Sequence, residues 1–309
     1  MILVLGATGF LGKVVMRKLG EQKSDFIGDS LSLGTDLRKR KEALLLFEKI
    51  RPEIVINCAA FLGGVQFGYE HAAEMFTNNL EIELSILEAC RHVKVRRLIN
   101  PIGNCSYPGI ADIYREEEFW DGALHESVLS YGIAKKTFCV GSWAYYRQYG
   151  LETINLVFSN MYGPGDHFDP VRSHAVGGMI KKFVDAVDED QKEVTIWGTG
   201  KPIREWLYVD DAAEAMIRAM SIPYYPDIIN VGINKGYSIL ETANIIKKLT
   251  GFKGDIITDI TRIDGAPVKI MDCLRCKEVF GWLPQMQYEE GLKRSISSYK
   301  EMKRSGFFS

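Results

Sequence analysis

The stretch Gly6-Ala-Thr8-Gly9-Phe10-Leu11-Gly12 constrains this chain more than any other. It follows an apolar run, Ile2–Leu5, and leads into a helical pattern from about Phe10 to Leu19. Glycines between a strand and a helix permit a tight turn and let backbone approach a ligand closely. The helix start behind them leaves N–H groups unpaired, which suits a pyrophosphate. An ordinary strand–helix turn accounts for one of these glycines but not for three. The spacing therefore predicts a dinucleotide site, held by Gly6, Thr8, Gly9, Phe10, Leu11 and Gly12.

The first half of the chain keeps the same rhythm. Phe26–Gly28, Ile54–Asn57, Arg97–Asn100 and Thr153–Phe158 read as strands. Arg38–Ile50, Glu74–Val93 and a segment around Tyr131–Tyr149 read as helices. Such alternation predicts an α/β fold, a Rossmann-type doubly wound parallel sheet followed by a smaller mixed α/β substrate domain. After residue 165 the alternation is lost, beginning with the polar loop Gly165–Ser173. Ser238-Ile-Leu-Glu241 is a capping box, and the helix it opens should stop at Gly251. The expected division is 1–164 for the dinucleotide domain, with the chain returning to it around 205–235, and 165–309 for the substrate domain.

Composition narrows the function classes. Lys and Arg number 38 against 40 Asp and Glu, a net charge of -2. That balance offers no footprint for nucleic acid and no polybasic membrane patch. No apolar run approaches about 18 residues, and MILVLGATG lacks the basic start of a signal peptide, so a soluble cytoplasmic protein is expected. The six cysteines are few for this length. Cys273-Leu-Arg-Cys276 has CxxC spacing but no second pair, so core packing is preferred to a zinc or redox site, and no metal is expected.

Asp29 falls 17 residues after Gly12, at the end of the second strand. An acid there accepts both ribose hydroxyls and repels a 2′-phosphate, which favours NAD over NADP. Ser30 and Ser32 leave the other choice open, since a differently turned loop could bind a phosphate. Asp36 and Leu37 are placed to contact the adenine. Asn57-Cys-Ala59-Ala60 ends the third strand, where backbone must pass the cofactor. In Ser130-Tyr131-Gly-Ile-Ala-Lys135, Tyr131 and Lys135 are four apart and share a helix face. A nearby ammonium lowers a phenol's pKa, which makes Tyr131 a credible acid/base and leaves Lys135 to hold a ribose.

Gly6–Gly12, Asn57–Ala60, Asn79, Tyr131/Lys135, Asn160-Met-Tyr-Gly-Pro164 and Arg204-Glu-Trp206-Leu-Tyr-Val-Asp210 run in one order along most of the chain. In this the sequence resembles the extended short-chain dehydrogenase/reductase (NAD-dependent epimerase/dehydratase) family. Within it, four stretches resemble the GDP-L-fucose synthase branch, which epimerises and reduces a GDP-4-keto-6-deoxy sugar. They are Ala59–Val65, Asn104-Cys105-Ser-Tyr-Pro108, Ser173-His174 after Tyr162–Phe168, and Asp264–Asp272 with Lys269. The resemblance implies a nucleotide-sugar epimerase/reductase acting on a 4-keto hexose or heptose. Cys105 and His174 would exchange the C3 and C5 protons, with a thiol pKa depressed by nearby cations. Tyr131 would act on the C4 oxygen. It further implies Asn79, Ala59 and Ala60 at the cofactor, and Asn104, Asn160, His174, Lys182, Trp197, Arg204 and Lys269 at a GDP-sugar. Arg204 suits a diphosphate because a guanidinium binds it bidentately. Trp197 and Trp206 would stack on a base or simply pack, Glu116–Glu118 reads as a solvated loop, and Trp120, His125 and Glu126 lie where substrate loops sit. A homodimer through a four-helix interface is expected.

Three departures accompany the resemblance. The position that normally carries Ser or Thr is Gly103, which removes a donor to the carbonyl oxygen, a loss on the order of a hundredfold in rate. Lys182 stands where a substrate-facing Arg is expected. Thr8 and Ser30–Ser32 stand where that branch has two arginines for a 2′-phosphate. Loss of either activity, or a non-catalytic dinucleotide-binding protein, are the alternatives.

Overall fold

The structure, a computed structural model, describes residues 1–168, 173–262 and 264–306, with the backbone alone of Val65. The elements of the first half are β1 (Ile2–Leu5), α1 (Phe10–Glu21), β2 (Phe26–Asp29), α2 (Arg40–Ile50), β3 (Ile54–Asn57), the short α3 (Val65–Glu70), α4 (Ala72–Val93), β4 (Arg97–Gly103), α5 (Leu129–Tyr149) and β5 (Glu152–Phe158). Then come β6 (Asn160–Tyr162), α6 (Ala175–Asp188), β7 (Glu193–Trp197), β8 (Ile203–Tyr208), α7 (Val209–Arg218), β9 (Ile228–Val231), β10 (Gly236–Ser238), α8 (Ile239–Thr250), β11 (Asp255–Asp259), β12 (Val268–Lys269), α9 (Leu274–Phe280) and α10 (Tyr288–Arg304). Part of the polar loop after Gly165, residues 169–172, lies outside the described residues.

Six parallel strands form the main sheet in the order β2-β1-β3-β4-β5-β9. Its strands read as continuous apolar runs because both faces are covered. Val4, Ile56 and Ile99 pack under α1 and α7, while Leu3, Val55 and Leu98 face α2, α4 and α5. Chain order reverses between β1 and β3, which opens the crevice at the carboxyl ends of those strands. The helix expected from Arg38 starts at Arg40, because Asp36 Oδ1 accepts the Arg38 N–H and holds its guanidinium.

One feature of this sheet is polar. The Asn57 side chain donates to Asn100 Oδ1 at 3.0 Å, and Asn100 donates to Asn155 Oδ1 at 3.2 Å. Burial of such groups is tolerated only when they are paired. The ladder ends usefully, since Asn57 Oδ1 accepts the Ala59 N–H at 2.9 Å and fixes the turn leaving β3.

The second half has its own core, where Tyr162, Phe183, Trp206, Tyr288 and Leu292 pack between α6, α8 and α10. Strand β8 is central to it, pairing with β10, β12 and β6. Glu205 on β8 is fully buried, and its carboxylate accepts N–H groups from Met271 and Asn234, each at 2.8 Å, and from Ile233. Burial pushes this carboxyl up to about 7 against those bonds. The capping box is present, with Ser238 and Glu241 reciprocally bonded and Gly251 ending α8 in the left-handed region. Cys273 and Cys276 are both buried free thiols in the sheet's core, as the packing reading expects.

The Glu116–Glu118 loop corrects the sequence reading. Glu116 is buried and its Oε1 accepts the Asn230 N–H at 2.9 Å, close to Arg275, so this acid fixes a loop to β9. Only Glu117 is fully exposed.

Glu88 ties three helices together. It pairs with Arg91 on α4 at 3.0 Å, accepts the Tyr145 hydroxyl of α5, and meets Arg40 of α2. Arg91 first, then Tyr145 and Arg40, hold its carboxyl down at about 2. A depressed folded pKa contributes stability above the unfolded value, lost as pH falls towards the folded one. Glu88→Gln should therefore cost about 1–2 kcal/mol at pH 7. In thermal melts the gap from wild type should narrow progressively as pH drops from about 5 towards 2.

Candidate active site

The glycine turn is built as its spacing predicts. Gly6 has φ +71°, and a Cβ there would lie 2.6 Å from the Cys58 carbonyl carbon. A Cβ on Gly12 would lie 2.1 Å from Gly6 O, so the turn closes only with glycine at both positions. Gly9 begins α1 without a side-chain cap, which leaves the first-turn N–H groups of Phe10, Leu11 and Gly12 free of one. Across the crevice, Asp29 Oδ1 is buried with no hydrogen-bond partner among the described residues. Beside it Thr8 Oγ donates to Ser30 Oγ at 2.9 Å and lies 2.8 Å from Ser32 Oγ, so three hydroxyls form a triangle. An orphaned carboxylate oxygen above a glycine cradle fits a dinucleotide's ribose and pyrophosphate.

Some expected cofactor contacts are engaged elsewhere. Asp36 turns both oxygens onto Arg38, and Leu37 is buried in the core, so neither side chain is free to meet an adenine. Asn79 donates to the carbonyls of Phe61 at 2.7 Å and Met75 at 2.6 Å, and accepts the Phe61 N–H. It anchors the loop carrying Ala59 and Ala60 and acts through that loop.

The chemical groups gather where β4 ends and α5 begins. Cys105 sits in the turn after Gly103, and the bridge from Pro108 to Leu124 brings the chain back to the start of α5. A Cβ on Gly103 would stand 3.0 Å from Cys105 Sγ and 3.3 Å from Tyr131 Cε1. Lys135 Nζ lies 5.5 Å from the Tyr131 ring centre and 2.8 Å from Glu83 Oε1 of α4, a buried ion pair.

Two pKa expectations are reversed. Tyr131 is pushed up to about 12, because its burial outweighs Lys135. The Cys105 thiol is also raised, by burial, against Lys269 and Lys135. Sequence spacing reveals the cations but not the loss of water.

The groups assigned to substrate fall in two places. Arg204 on β8 and Lys269 on β12 are register partners on adjacent strands. Neither has a carboxylate within ion-pair distance among the described residues. Burial lowers both, Lys269 to about 8, and His125 feels the two cations. Asn104 is buried with its Nδ2 unpaired among the described residues. Asn160 is the register partner of Trp206.

His174, at the start of α6, has its own neighbour, Asp166 at 3.7 Å. Burial lowers the imidazole, but Asp166 outweighs it and the net shift is upward. Lys182 donates to the Thr195 carbonyl at 2.8 Å and lies 5.1 Å from the Trp197 ring, whose other cation is Arg262. Trp197 is half-exposed, whereas Trp206 is buried with its N–H on Thr242, so Trp206 packs. Among the described residues no three His, Cys, Asp or Glu gather to hold a metal.

Sequence reading missed Glu83 and placed His125 only within a substrate loop, with no specific contact. Glu83 is one turn after Asn79 on the same face of α4, the one signal that could have found it. His125 Nδ1 accepts the Ser127 N–H at 3.3 Å beside Lys269 and Arg204.

A family model, NAD dependent epimerase/dehydratase family, matches residues 2–232. A GDP-L-fucose synthase from Sinorhizobium fredii is 33% identical over 300 residues, covering 96% of this chain and 95% of that protein. The solved GDP-L-fucose synthetase from Naegleria fowleri superposes with a TM-score of 0.89 at 25% identity, covering 98% of this chain and 94% of that one. A GDP-6-OMe-4-keto-L-xylo-heptose reductase from C. jejuni shares the fold with a TM-score of 0.90 at 24% identity, covering 97% of both chains.

The raised Cys105 thiol has a direct readout. Iodoacetamide should label it slowly at pH 7 and faster only above the ordinary thiol value of about 8.5, as followed by peptide mass mapping. Rapid labelling at neutral pH would contradict the burial argument.

Proposed function

The chain belongs to the NAD-dependent epimerase/dehydratase family, and from that premise we propose that it is a GDP-sugar epimerase/reductase acting on a 4-keto intermediate. The observation that carries this is the convergence over Gly103 of Cys105 and Tyr131, backed by Lys135. Register-paired Arg204 and Lys269, with no carboxylate partner among the described residues, support an anionic diphosphate beside them.

A 4-ketone makes the C–H bonds at C3 and C5 acidic, and inverting either centre needs a base on one face and a proton donor on the other. Cys105 and His174 are the proposed pair. Tyr131 donates to the ketone oxygen as charge develops there and gives up its proton when C4 is reduced. A reduced nicotinamide dinucleotide, when bound in the crevice, supplies the hydride. Asp29 supports a preference for NADH, because a buried carboxylate oxygen can take a ribose hydroxyl but opposes a 2′-phosphate. A second reading, a 4-reductase without epimerase activity, is favoured by the raised thiol, which makes Cys105 a poorer base at neutral pH.

The exposed apolar side chains of α4 and α5, Leu84, Val140 and Trp143, support a homodimer through those helices. Trp143→Glu should then shift the protein from dimer to monomer in sedimentation runs.

GDP-4-keto-6-deoxymannose should oxidise one equivalent of reduced cofactor, with kcat/KM higher for NADH than for NADPH. In heavy water the product should gain deuterium at two carbons by mass spectrometry. Oxidation without deuterium uptake would leave the 4-reductase, and uptake without oxidation an epimerase. Neither, with cofactor still bound, would leave a dinucleotide-binding protein.

A further inference from the structure

Lys135 and Glu83 form an ion pair with almost no access to water. Their side chains are 1% and 3% exposed, and Nζ lies 2.8 Å from Oε1. Helices α4 and α5 pack side by side and bring the two residues together. The pair is not required by packing, since a buried ion pair is replaceable by apolar residues at little net cost. Removing one partner, by contrast, leaves the other charge stranded.

Resting on the functional reading above, we propose that Glu83 is a positioning residue that keeps Lys135 charged and fixed beneath Tyr131, so that the ammonium remains available to the cofactor's ribose across the working pH range.

A second buried lysine supplies the comparison. Lys269 is also buried, though less completely, at 9% exposed; it has no carboxylate within ion-pair distance among the described residues and is driven down to about 8 by burial. Lys135 is buried more deeply still and is nevertheless raised, with Glu83 the largest opposing influence. The other titratable groups facing Lys135 are Tyr131 on its own helix and Cys105 after β4. Cys139, one turn further along α5, faces both members of the pair. Burial raises all three, so they are neutral at pH 7 and cannot replace a carboxylate. Glu83 also works against ionisation of Tyr131. The phenol therefore stays protonated, the form needed to donate to a ketone oxygen.

The test uses the full-length protein and reduced cofactor alone, so it does not depend on the sugar. NADH and NADPH binding would be followed by fluorescence titration between pH 6.5 and 9.5 for wild type, Glu83→Gln and Glu83→Asp. Wild-type affinity should be nearly flat across that range. In Glu83→Gln, Lys135 should behave like Lys269, and affinity should fall about tenfold or more as pH rises through about 8. Glu83→Asp, which keeps the charge one methylene short, should show the break at higher pH, and it carries the test alone where the Gln variant does not fold. Flat, wild-type-like profiles in the folded variants would overturn the inference while leaving the functional reading in place. Failure of wild type to bind either cofactor would overturn both.

Discussion

A charge taken out of water must be answered by another charge, by hydrogen bonds, or by a loss of ionisation, and each unanswered ion costs several kcal/mol. This chain uses all three responses around a single cleft. Lys135 is answered by Glu83. Glu205 is answered by backbone N–H groups from two loops. Lys269 and Arg204 have no carboxylate within ion-pair distance among the described residues and respond by lowered pKa values. The contrast divides labour. Answered charges hold the framework, and the unanswered pair is the one to which the proposed function gives an anionic diphosphate.

The framework itself depends on backbone approaching backbone. Gly6 presses against Cys58 and Ala59, so β1 and β3 meet at the switch point with no room for a side chain. Asn57 and Asn79 hold the opposite wall of that crevice, one through the Ala59 N–H and the other through Phe61. Glu205 does the same for the second half, joining β8 to the segments after β9 and beyond β12. Arg204 precedes Glu205 and Lys269 lies two residues before Met271, so the cations inherit their placement from one buried carboxylate.

What the sequence disclosed was local. The glycine spacing, the Tyr131/Lys135 interval and the Ser238/Glu241 box each lie within a few residues, and a strand or helix period converts such spacing directly into geometry. The Glu83–Lys135 pair joins two helices and has no fixed interval, so it was not legible. The asparagine ladder likewise joins three strands whose neighbours only the sheet order reveals. Glu116 looked solvated because two more glutamates follow it, yet a short loop turns only the first inward. The signs of the Tyr131 and Cys105 shifts were misread for the same reason, since a pattern names the neighbouring cations and not the depth of burial.

Gly103 shows how a departure from pattern becomes a consequence of shape. A side chain at that position would touch both Cys105 Sγ and the Tyr131 ring. Without one, the thiol and the phenol share the space that a serine would divide between them. In the proposed reaction the carbonyl oxygen of a substrate would thereby lose a hydroxyl donor, and the remaining donor would have to stay protonated to serve it. Burial of Tyr131 and the carboxylate behind Lys135 both act in that direction. The missing hydroxyl and the ion pair are therefore linked: a site with one acid in place of two depends more heavily on whatever keeps that acid in its protonated form.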